Sequence, residues 1–119
     1  MVVYKICPSA DWQQAGQDAV YQGSSDDLRD GFVHLSASHQ IEGTLARHFS
    51  GRTGLLLIAF QAERLGATLR WEASRGGDLF PHLYGPLPVE AAIATWPLEL
   101  GADGMHVLPI LPDAAGTSA

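Results

Sequence analysis

Residues 69–87 concentrate groups that can hold an anion or move a proton. Arg70, Glu72, Arg75, His82 and Tyr84 are interleaved with Trp71, Phe80, a Gly76-Gly77 pair and two X-Pro steps ending at Pro81 and Pro86. Polar chemistry this dense on a turning backbone, with aromatic residues inside it, is the composition of a binding wall rather than of a core or a linker. In an extended segment His82 and Tyr84 project from one side and Leu83 anchors the other. The bracketing prolines restrict the backbone and so reduce the entropy lost on binding. Arg70 and Glu72 share a strand face, with Trp71 directed to the core, and can either line the site or form a surface ion pair. Arg75-Gly76-Gly77 reads as a backbone nest for phosphate clamped by Arg75, or as a plain loop.

A second chemical stretch is Val33-His34-Leu35-Ser36-Ala37-Ser38-His39. On a strand, Val33 and Leu35 face the core, which turns His34 and Ser36 to the other side with Phe32. The helix expected after it offers free N–H groups and the positive end of its dipole beside Ser36, an anion site. The competing reading makes the serines simple helix caps and His34 a satisfied, half-buried residue. No metal is expected. His39 and His48 are nine residues apart, on opposite sides of one helix, and the single Cys7 offers no thiolate cluster. The P-loop, the dinucleotide fingerprint and the G-x-S-x-G elbow are missing from the sequence.

The elements that must carry these residues follow from periodicity. Strands are expected over 2–6, 32–36, 54–60 (a continuous apolar run, hence central), 68–72, 93–100 and 105–110. A short helix over 9–16 is capped by Ser9, with Trp12 and Ala15 on one face and Gly16 as terminator. Asp26 and Asp27 start one helical turn, and Asp30-Gly31 launches the second strand. A longer helix over 38–49 presents Ile41, Leu45 and Phe49, with Ser36 or Ser38 as its cap and Gly51 as its end. The sum is an α+β fold with two main helices and a bent, mostly antiparallel sheet, in one domain over 1–112 with a frayed tail over 113–119.

The chain has 119 residues, 46% of them hydrophobic, and 13 acidic against 7 basic residues for a net charge of −6. That balance disfavours long nucleic acid, whose binding rests on phosphate neutralisation, but leaves room for a small anionic ligand held by a few local cations. Cys7 is expected to be a buried small hydrophobe. Neither a signal peptide nor an apolar run of membrane-spanning length is visible, which predicts a cytoplasmic protein without membrane contact.

Tyr4-Lys5-Ile6, Trp12, residues 30–36, Leu69-Arg70-Trp71-Glu72, residues 74–77 and residues 80–87 together resemble a small bacterial family known as domain of unknown function 952. That family is similar in fold to the ADP-ribosyltransferase superfamily, a split, bent sheet that holds NAD in a cleft. The resemblance implies that Lys5 and His34 contact ribose and phosphates, although Lys5 stands where those enzymes carry His or Arg. It leaves Glu72, Glu90 and Glu99 as candidates for the carboxylate that orients the ribose. The His34-Leu35-Ser36 ending is also similar to RNA 2′-phosphotransferases of that superfamily, which dispense with the glutamate.

The expected site therefore has His34 and His82 as catalytic candidates and Lys5, Ser36, Arg70, Glu72, Arg75 and Tyr84 as ligand contacts. Its ligand is NAD, as substrate, or a related nucleotide phosphate, with ADP-ribosyl transfer as the possible reaction. A non-catalytic binding or protein-interaction module on the same fold is the alternative, and oligomeric state is left open.

Overall fold

A computed structural model describes residues 1–112, apart from the side chain of Arg75; the tail expected over 113–119 lies outside the described residues. The chain forms β1 (Val2–Pro8), α1 (Ser9–Asp18), β2 (Val20–Tyr21), α2 (Ser25–Asp30), β3 (Val33–His34), α3 (Ile41–His48), β4 (Leu55–Gln61), α4 (Ala62–Leu65), β5 (Leu69–Ala73), β6 (Leu79–Leu83), β7 (Leu87–Pro88), β8 (Ala92–Leu100) and β9 (His106–Val107). It is a small α+β domain with antiparallel sheets. Among the described residues no helix is long and apolar enough to cross a membrane.

β4 explains its own sequence. It is paired on both edges, in the order β1-β4-β8-β9, and covered on both faces. Ile58 and Phe60 enter one core cluster with Val3, Cys7, Ala15, Val33, Leu35 and Leu83. Leu55, Leu57 and Ala59 enter the other with Tyr4, Ile6, Ile41 and Leu45. A strand buried on both sides needs no polar alternation, hence the continuous apolar run. Burial pushes the Cys7 thiol up to about 12, which makes it an inert packing residue.

The second sheet, β3-β6-β5, is joined to β1 by one bridge in which Tyr4 and Ser36 exchange backbone hydrogen bonds of 2.8 and 2.9 Å. Beyond that bridge the strands part. The polar stretch 69–87 is largely the β5–β6 hairpin, whose loop closes through Gly77 N–H donating to the Ser74 carbonyl.

Several local expectations are corrected. Trp71 is not in the core: β5 is an edge strand, and the indole is 36% exposed. α1 runs past Gly16 to Asp18 and ends on Ala19 at φ 66°, while Ser9 begins the helix and donates to Gly54 O instead of capping it. The strand over 32–36 shortens to Val33–His34: Phe32 stacks on the His82 ring, and Leu35 still donates to Pro81 O of the neighbouring strand. The strand over 105–110 shortens to His106–Val107. The helix over 38–49 opens with a 3₁₀ turn, Ser38–Gln40, and neither Ser36 nor Ser38 caps it. Gln40 does that work, its Oε1 accepting from Ala37 N–H at 2.9 Å and its Nε2 donating to Asp78 and to Leu79 O. The helix ends at His48, with Phe49 rather than Gly51 following as its cap.

Candidate functional site

The site begins with α2. Ser24 and Asp27 cap it reciprocally: Ser24 Oγ accepts from Asp27 N–H, and Asp27 Oδ2 accepts from Ser24 N–H. Gly31, at φ 85°, closes its other end by donating to Asp27 O. Gly23 is required here, since a Cβ on it would lie 2.7 Å from Asp27 Cβ. Asp27 is thereby pressed inward until only 2% of it is exposed.

Its carboxylate then gathers β1 and β3. Oδ2 also accepts from Lys5 Nζ at 2.8 Å, while Oδ1 accepts from His34 N–H at 3.0 Å and meets His34 Nδ1 at 2.6 Å. Lys5 Nζ donates onward to His34 O at 3.0 Å. Burial alone would raise the Asp27 pKa; the His34 and Lys5 bonds and charges outweigh it and hold the carboxyl far below the usual carboxylate range. The other His34 nitrogen, Nε2, lies 3.0 Å from Asp30 Oδ2. Both ring contacts are hydrogen bonds at once only in the imidazolium form. Asp30 is lowered in turn, first by its bond to Arg29.

The hairpin supplies a second pairing of imidazole and carboxylate. His82, 5% exposed, meets Glu72 Oε1 through Nδ1 at 2.8 Å, and Tyr84 OH donates to the same oxygen at 2.7 Å. These bonds, Tyr84's first and then His82's, hold the Glu72 carboxyl below its ordinary value, and the same contact raises Tyr84. Strand register sets the arrangement, with His34 opposite His82 on β3–β6 and Arg70 opposite His82 on β5–β6. Phe32 stacks on the His82 ring at 4.0 Å and 22°, and the two imidazole centroids are 5.6 Å apart. Among the described residues, His82 Nε2 has no hydrogen-bond partner, in contrast to both nitrogens of His34.

A cleft of about 240 Å³ opens where β1 and β3 diverge. His82, Phe80 and Ser36 line it together with Asp26, Arg29 and Asp30 of α2 and Thr44 and Phe49 from the α3 side. The structure thus brings together Lys5, His34, Ser36 and His82 of the expected site. Ser36 Oγ lies 3.1 Å from Thr44 Oγ1, and the helix opening beside it already has amide partners at Ala37 and Gln40. Glu72 and Tyr84 stand behind His82, and Arg70 lies over the Tyr84 ring at 5.1 Å instead of reaching the cleft. Gly76 and Gly77 do adopt positive φ, but the Arg75 side chain lies outside the described residues. Among the described residues no three His, Cys, Asp or Glu side chains group as a metal site.

Sequence reasoning passed over Asp27, the centre of the arrangement. Two signals pointed to it. Lys5 falls between Val3 and Cys7 on a core-facing side of β1, and a buried lysine requires a carboxylate. Ser24-Ser25-Asp26-Asp27 carries the spacing of a reciprocal cap, which turns the fourth residue's carboxylate back toward the chain.

A split antiparallel α+β domain with a histidine-lined cleft is thus the class of protein in hand. The chain belongs to the family described as protein of unknown function DUF952, whose model matches residues 6–95. It is similar to protein CC0527 from Caulobacter crescentus: the crystal structure is 47% identical, with a TM-score of 0.87, over 91% of this chain and 95% of that one. The solution NMR structure of the same protein gives 48% identity and a TM-score of 0.79, over 87% and 90%. Among curated proteins, none matches the chain.

Proposed function

We propose that the cleft binds NAD or a related nucleotide and that His82 is its acid/base group, serving transfer of an ADP-ribosyl or similar unit. The observation that carries this reading is the asymmetry of His82: Nδ1 is held by Glu72 while Nε2, on a ring lining the cleft, has no partner among the described residues. A carboxylate on one imidazole nitrogen orients the ring and stabilises the proton the other nitrogen takes up, the logic of a general base. NAD is the first candidate on the resemblance of residues 4–6 and 32–36. A cleft of about 240 Å³ suits one end of it, because whole ligands of drug size occupy larger pockets.

A second reading, a binding module without turnover on the same fold, is favoured by the state of Lys5 and His34. Both are expected to touch ribose or phosphate, yet Asp27 and Asp30 already hold them. The reading is tested by thermal unfolding with NAD, ADP-ribose or nicotinamide. Ligand at a hundredfold excess over Kd stabilises by about 2.7 kcal/mol, several degrees for a chain of this size. The shift is expected to survive in His82→Asn, whose amide can still donate to Glu72, while release of nicotinamide from NAD is lost. No shift at millimolar ligand overturns the nucleotide reading. A shift without nicotinamide release from the wild type selects the binding module.

A further inference from the structure

Lys5, Arg29 and His34 on the cleft wall are each already matched by a carboxylate. Lys5 is paired with Asp27 at 2.8 Å, and Arg29 with Asp26 at 3.1 Å and Asp30 at 3.0 Å. His34 lies between Asp27 and Asp30. Lys5 and Arg29 thus stand against three aspartates, Asp26, Asp27 and Asp30, on this wall. A phosphate entering this space would have to take a cation from a carboxylate and lie beside the carboxylate it displaced, an arrangement of like charges that disfavours binding.

The surfaces left available have a different chemistry. The Asp26 and Asp30 carboxylates at the rim accept hydrogen bonds and donate none, which suits hydroxyl groups, as an acidic residue does when it holds the ribose of a dinucleotide. Ser36 and Thr44 add hydroxyls deeper in, and Phe49 and Phe80 add ring surface.

We infer that the cleft admits the nucleoside end of its ligand, a planar ring, neutral or cationic, bearing a hydroxylated sugar, and keeps phosphate groups outside. This rests on the nucleotide reading above and sharpens it: recognition is by hydroxyl and ring, with carboxylates as acceptors. Arg29 and His34 act on the ligand indirectly, by holding Asp30 in place, and are positioning residues.

Calorimetric titration with four probes tests it: nicotinamide riboside, nicotinamide mononucleotide, ADP-ribose and inorganic pyrophosphate. The riboside and the mononucleotide should bind with Kd values within about threefold of each other, since one phosphate adds less than a single net hydrogen bond. Pyrophosphate should neither bind nor compete. Asp30→Asn should weaken the riboside by about tenfold, the loss of one hydrogen bond to a charged acceptor, and circular dichroism checks that the variant is folded. Competition by pyrophosphate, or ADP-ribose binding while the riboside does not, overturns the inference and leaves the nucleotide cleft standing. Failure of all four probes removes the nucleotide reading, and the inference with it.

Discussion

The two histidines sit opposite each other on neighbouring strands, and each directs Nδ1 to a carboxylate. The surroundings of the two pairs differ. Asp27 is buried and accepts from Ser24, Lys5 and His34, while Asp30 takes the second His34 nitrogen. Glu72 stands on an edge strand with two partners, and His82, which lines the cleft, has no hydrogen-bond partner for its second nitrogen among the described residues. One pairing motif therefore does two jobs. Saturated with partners it ties β1, α2 and β3 together; with fewer partners, on the reading proposed above, it orients a group for chemistry.

The largest effect expected from breaking that contrast is on stability. Lys5→Met and Asp27→Leu, made singly, should each cost about 3–5 kcal/mol, since each strands a buried charge. Combined, they should cost markedly less than their sum. Urea denaturation of the three variants measures this, and strict additivity would show that the pair is not coupled.

Gly23→Ala comes next. It sets a side chain at φ 121° and at 2.7 Å from Asp27 Cβ, so a loss of about 1–3 kcal/mol is expected in the same assay.

Acid dependence separates the regions further. The folded Asp27 pKa lies below its unfolded value of about 4, so its contribution is complete above that pH and is lost as the pH falls below it. Urea midpoints between pH 2 and pH 7 should fall on the acid side for the wild type, and less steeply for Asp27→Asn.

The smallest stability effect belongs to Glu72→Gln. An exposed acceptor replaced by its amide should leave the melting temperature close to that of the wild type. On the proposed catalytic reading it should still abolish nicotinamide release, because the orienting charge beside His82 is gone. A melting temperature lowered as far as in Asp27→Leu would erase the distinction between the two sites.

Much of the fold was legible because its signals are local or periodic. The two-sided burial of β4 shows as a continuous apolar run, and the helix over 38–49 shows in Ile41, Leu45 and Phe49. The pairing of Val33 and Leu35 as core against His34 and Ser36 also follows from alternation. Trp71 was misread because alternation gives a face, not the position of the strand in its sheet, and β5 is an edge. The start of the helix over 38–49 was misread because Gln40 reaches across to the β5–β6 hairpin, a contact that local capping patterns do not reveal. At the site, types and faces were legible for His34, His82 and Tyr84. Their division of labour was not, since it depends on Asp27 and Asp30, which arrive from a separate element.

The contrast between the two imidazoles is open to one direct observation: the ring nitrogens of both, followed by ¹⁵N NMR in histidine-labelled protein as nicotinamide riboside is added. The predicted result is that the His82 Nε2 resonance moves in proportion to occupancy while both His34 nitrogens stay in place. Movement of the His34 resonances with His82 unchanged would contradict the account and transfer the chemistry to the cluster around Asp27.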